Sequence, residues 1–131
     1  MTPIEITGIH HVRVPVSDLD RSVEFWTATF GFERDFDFPG DEGPIATALT
    51  HPATDTHVVL WKDAARAVSS AGFTSVGLGV PDRASIDALA AELDVAGIPH
   101  QGIEPSFVEV KLVGVADPDG NLVNFYVKPR Q

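Results

Sequence analysis

The chain has 131 residues, 44% of them apolar, and 19 acidic residues against nine basic ones set its formal charge at −10 at pH 7. That length supports one apolar core and is short for two, so residues 1–131 are expected to form a single domain. With no Lys/Arg cluster to follow a phosphate backbone and no apolar run of roughly 20 residues, neither nucleic acid nor a membrane is an expected partner, and the lack of cysteine excludes disulfides and thiolate chemistry.

The opening Met1-Thr2-Pro3-Ile4-Glu5 lacks the basic-then-apolar pattern of a signal peptide, and the expected location is the cytoplasm. From Ile9 the chain reads as a strand. Val12, Val14 and Val16 alternate with His11, Arg13 and Pro15, giving one apolar face and one chemical face. Ser17-Asp18-Leu19-Asp20 then resembles a helix cap, and Leu19, Val23, Trp26 and Phe30 recur at helical spacing up to Gly31. Strand-like stretches follow at 33–38, 44–51 and 57–62, separated by turns rich in Pro, Gly and Asp. The first half is therefore expected to be βαβββ over about residues 8–63.

The same order begins again at Phe73. Val76, Leu78 and Val80 alternate with Ser75, Gly77 and Gly79; Pro81-Asp82 opens a helix carrying Ile86, Leu89 and Leu93, and Gly97 with Pro99 closes it. Strands at 100–103, 109–116 and 122–127 complete the unit, the last two joined by Asp117-Pro118-Asp119-Gly120. Val16-Ser17-Asp18 matches Val80-Pro81-Asp82 at an offset of 64 residues, so the second repeat covers about 73–128. The Ala- and Ser-rich stretch 62–72 is read as a linker. The expected fold is α+β: two βαβββ repeats forming a curved mixed sheet around a concave cavity, with helices on the outer face.

The stretch from His11 to Trp26 resembles the opening strand and helix of vicinal oxygen chelate proteins, the glyoxalase, bleomycin resistance protein and extradiol dioxygenase superfamily. Asp117-Pro118-Asp119-Gly120-Asn121-Leu122-Val123-Asn124-Phe125 is similar to its closing hairpin. The likeness runs from about Ile9 to Lys128 and implies the fold, while its functions range from isomerases and dioxygenases to inert binding proteins. Members that hold a metal place a His on the first strand of a half and a Glu on its last strand. Carried over residue by residue, those positions fall on His11, Ser75, Asn124 and either Val59 or Leu60, of which strand alternation favours Val59. Only His11 matches a metal ligand; a hydroxyl, an amide and a valine replace the rest. A divalent metal, held with help from His57 or Glu109, is the one cofactor the resemblance leaves open.

Two readings stand beside each other for the remaining residues. His11, Arg13, Trp61, Ser75, Asn124 and Tyr126 share the chemical face and are the candidate ligand-binding residues. Ser75, Gly77 and Gly79 either leave room for a flat ligand or let backbones pack closely; Trp61 and Tyr126 are either aromatic walls or core. The acidic cluster Asp35, Asp37, Asp41 and Glu42 either steers a cation or is a solvated loop. The functional expectation is a small-molecule-binding protein with a degenerate metal site, sequestering an aromatic or cationic compound. The alternative is a lyase, isomerase or dioxygenase using a modified site, with His11 and Glu109 as candidate catalytic residues. The resemblance further implies a homodimer.

Overall fold

Asp18 and Gly31 bracket the first helix as the sequence requires: the Asp18 carboxylate accepts from the Arg21 N–H at 3.1 Å, and Gly31 stops the helix at φ 75°. In the computed structural model, which describes residues 1–130, the first repeat runs β1 (Val12–Val16), α1 (Leu19–Phe30), β2 (Glu33–Phe38), β3 (Ala46–Thr50) and β4 (His57–Lys62). The second runs β5 (Thr74–Val80), α3 (Arg83–Ala96), β6 (Ile103–Pro105), β7 (Val110–Ala116) and β8 (Leu122–Val127), with α2 (Ala64–Ser70) between the repeats. Asp82 caps α3 as Asp18 caps α1, and Gly97 ends it at φ 71°.

Each repeat forms a four-stranded mixed sheet, ordered β1-β4-β3-β2 and β5-β8-β7-β6, with the first and last strands of each repeat parallel. The registers repeat too. Arg13 lies opposite Val59 and Pro15 opposite Trp61, while Gly77 lies opposite Asn124 and Gly79 opposite Tyr126. Val14, Val16, Val58 and Leu60 of one sheet and Val76, Val123 and Phe125 of the other are buried in one apolar cluster with α1 and α3. Val12 and Leu78, expected in this layer, are partly buried against it. By alternation, His57, Val59 and Trp61 occupy the opposite face of β4.

The two repeats are tied by the Asp117–Asn121 turn. The buried Asp117 carboxylate accepts from the backbone N–H of Asp119 and Asn121, from Asn121 Nδ2 and, at 3.4 Å, from Trp26 Nε1 on α1. Asn121 also donates to the Pro15 carbonyl at 2.9 Å, and Asp119 accepts from Ser17 Oγ at 2.6 Å. Burial raises the Asp117 carboxyl above the ordinary carboxylate range, and these hydrogen bonds, those of Asn121 foremost, oppose that rise.

Several boundaries differ from the sequence reading, three of them with a clear local cause. The presumed linker contains α2: Asp63 caps it by accepting from the Arg66 N–H at 3.0 Å, and Ala67 is buried against the rest of the chain. The strand expected over 100–103 starts only at Ile103, because Gly102 takes φ 92° and His100 instead accepts from the Gly102 N–H. The next strand starts at Val110, since Glu109 adopts φ 55°, outside the strand region.

Candidate functional site

Because β1 and β4 run parallel in register, Arg13 and Trp61 are diagonal neighbours on one sheet face. The Arg13 guanidinium carbon sits 4.0 Å from the Trp61 ring centroid, a cation–π contact. This pair forms one wall of a cavity of about 410 Å³. The remaining lining comes from Pro15, from Asp63, Arg66 and Ser70 at the cap and along α2, and from Phe73 and Ser75 at the start of β5. Three sequence-predicted residues, Arg13, Trp61 and Ser75, therefore meet here. Asp63, Arg66 and Ser70 fall in the stretch read as a linker and Phe73 at the start of the second repeat; the sequence signal for α2 is Asp63-Ala64-Ala65-Arg66, an N-cap residue ahead of good helix formers.

His11 lies elsewhere. With His10, His57, Phe36, Phe38 and Val59 it lines a second cavity of about 250 Å³ on the first sheet. The ring nitrogens of His10 and His11 approach to 2.9 Å, and His57 Nε2 lies 2.9 Å from the exposed Asp55 carboxylate. Asp37, from the acidic cluster, accepts from Thr47 Oγ1 at 2.8 Å and faces Arg34 at 3.7 Å.

Asn124 and Tyr126 are turned toward each other rather than toward open space. Asn124 Oδ1 accepts from the Gly114 N–H at 2.9 Å, where Gly114 makes a bulge in β7 at φ 68°, and Asn124 Nδ2 donates to the Tyr126 hydroxyl at 3.1 Å. The room expected beside Gly77 and Gly79 is filled from within. A Cβ on Gly77 would stand 3.1 Å from Tyr126 Cε2, and one on Gly79 would stand 3.0 Å from Lys128 Cβ. Glu109 is exposed and lines neither cavity; its carbonyl accepts from the Ser106 N–H.

Val59 and Asn124, where the resemblance leads one to expect metal ligands, have poor donor chemistry. The registers place Val59 and Asn124 at equivalent points of the two sheets. Val59 has no donor, and the one oxygen of Asn124 is already bonded to a backbone N–H inside the protein. Among the described residues, no group of three or more His, Asp or Glu side chains is disposed to hold a metal ion.

On this pair of βαβββ sheets the family model of the Glyoxalase/Bleomycin resistance protein/Dioxygenase superfamily matches residues 8–125. The chain belongs to that superfamily. It is similar in structure to TnmS3, an antibiotic binding protein from Streptomyces sp. CB03234, with 27% identity, 98% of this chain and 100% of that one covered, and a TM-score of 0.75. It shares its fold with lactoylglutathione lyase from Agrobacterium tumefaciens, at 16% identity, coverage of 93% and 94%, and a TM-score of 0.73. The fosfomycin resistance protein FosX from Listeria monocytogenes also shares it, at 12% identity, 95% coverage of both chains and a TM-score of 0.75. No curated protein sequence matches the chain. No helix among the described residues is long and apolar enough to cross a membrane.

Proposed function

We propose that this chain is a metal-independent small-molecule-binding protein whose inherited metal site has degenerated, and that its ligand occupies the Arg13–Trp61–Ser75 cavity. The observation that carries this reading is the state of Asn124: the residue at the last-strand ligand position spends its oxygen on Gly114 and its amide on Tyr126. A buried oxygen already accepting a backbone N–H is a poor donor to a hard or borderline cation. The likeness to an antibiotic binding protein at 27% identity supports binding over turnover.

One observation favours the alternative, an enzyme of the lyase, isomerase or dioxygenase kind: the His10–His11 pair faces the second cavity together with His57 and Asp35. Glu109, the acid offered as partner to His11, does not line that cavity, and the binding reading is preferred. The protein works as one domain over residues 1–131 and as a cytoplasmic homodimer; the exposed side chains of Ile4, Ile6, Ile9 and Phe36 support burial against a second copy, and light scattering should give twice the chain mass.

Calorimetric titration with zinc, manganese and nickel tests the metal reading, together with a lactoylglutathione lyase assay on a thiohemiacetal substrate in the presence of each metal. The expected result is no saturable one-to-one metal site and no turnover above a metal-only blank. A stoichiometric site with turnover would overturn the reading.

A further inference from the structure

We infer that the Arg13–Trp61 cavity is built for a planar aromatic anion, an aryl carboxylate whose charge is met by Arg13 and Arg66 and whose ring lies against Trp61 and Phe73. This rests on the proposal that the cavity is the binding site, and it replaces a cationic ligand with an anionic one.

Charge is unevenly placed in this chain. The protein carries −10 overall, yet this cavity is lined by two guanidiniums and one carboxylate. Among the described residues neither Arg13 nor Arg66 has a carboxylate within ion-pair distance; the chain's arginine ion pairs belong to Arg21, Arg34 and Arg83. Asp63, the acid in the lining, directs one oxygen to the Arg66 backbone N–H as the cap of α2. Asp63 is the single acid of the lining, and at physiological salt solvent-exposed charges beyond about 8 Å are largely screened. The local field is thus set by the two arginines.

The geometry of Arg13 adds direction. Its face is occupied by Trp61 at 4.0 Å, while guanidinium N–H donors radiate in the plane of the group and match the two oxygens of a carboxylate. The Ser75 hydroxyl lines the same space and supplies a neutral donor to the same oxygens, while the Ser70 hydroxyl donates to Asn121 Oδ1 at 3.4 Å. Phe73 stands 68% exposed at its rim, an apolar surface that a bound ring would cover. A cation in this cavity would meet two like charges.

Three probes of one shape separate the terms: 2-naphthoate, neutral 2-naphthamide and cationic 2-naphthylmethylammonium, each titrated calorimetrically into the full chain. A charged hydrogen bond contributes about 1.5–3 kcal/mol, so naphthoate should bind roughly tenfold or more tightly than naphthamide, and the ammonium more weakly than either. Arg66→Gln should cost naphthoate about fivefold or more and leave naphthamide unchanged, with Arg66→Lys intermediate; Arg13→Gln should act alike. Equal binding of naphthoate and naphthamide, both lost in Trp61→Ala, would overturn the anion inference and leave the binding site standing. Tighter binding of the ammonium would overturn it as well. No binding of any probe would overturn the inference and the choice of cavity together.

Discussion

Arg13 on β1 and Trp61 on β4 lie 48 residues apart in the sequence and still meet, with the guanidinium carbon 4.0 Å from the indole centroid. The pairing should be measurable in the free protein. Since a cation–π contact at a partly exposed site contributes about 0.5–1 kcal/mol, a double-mutant cycle of Arg13→Gln and Trp61→Leu, read by urea denaturation, should give a coupling of that size. Additive losses would mean that the two side chains are independent in solution.

Asp117 should be the most sensitive polar position of the fold. Four N–H donors converge on its carboxylate, and Asp117→Asn would turn an amide NH₂ toward at least one of them. Leaving a buried donor unpaired costs about 1–3 kcal/mol, and here the donors include Trp26 of α1 and Asn121, which holds the first strand at Pro15. The expected loss is about 3 kcal/mol in chemical denaturation, with cooperative unfolding retained. A loss below about 0.5 kcal/mol, the size of an ordinary surface change, would show that the turn does not couple the repeats.

Gly77 and Tyr126 form a steric pair. Gly77→Ala would place a methyl group 3.1 Å from the Tyr126 ring, and overpacking of this kind costs about 1–3 kcal/mol. In a Tyr126→Ala background the same substitution should cost nothing measurable. Equal cost in both backgrounds would remove Tyr126 as the filler of the gap.

The Asp82 cap gives a pH signature. Its hydrogen bonds from the Ser85 hydroxyl and backbone N–H hold the carboxyl below its ordinary value of 3.8. A depressed carboxyl stabilises the fold above its unfolded value, and the stabilisation is lost as pH falls through the folded value. Thermal unfolding of the wild type and Asp82→Ala should therefore differ at pH 7 and draw together as the pH drops below about 3.8. A gap that widens in acid would contradict the assignment.

The fold was legible where a periodicity had room to declare itself. Val12, Val14 and Val16 alternate, the apolar stripe of α1 runs three turns, and Asp18, Gly31, Asp82 and Gly97 mark both long helices at their ends. The seven residues of α2 make fewer than two turns, too few for an amphipathic pattern; the Asp63 cap ahead of Ala64-Ala65-Arg66 is its one local trace, and that Arg66 lines the same cavity as Arg13 shows only in three dimensions. The site was legible in part for a related reason. Strand parity put Arg13, Trp61 and Ser75 on the proper faces, but parity says nothing of what fills a gap, and the space beside Gly77 went to Tyr126. The turn at Asp117 was recognisable as a turn, whereas its hold on Trp26, 91 residues away, leaves no local trace.

The central claim is that the Arg13–Trp61 cavity binds its ligand without a metal. It is tested most directly by titrating 2-naphthoate calorimetrically into protein stripped with a chelator and into the same protein supplied with manganese, zinc or nickel. Equal affinity and one-to-one stoichiometry in every preparation, abolished by Trp61→Ala, is the predicted result. Binding that appears only with a metal, or that survives Trp61→Ala unchanged, would contradict it.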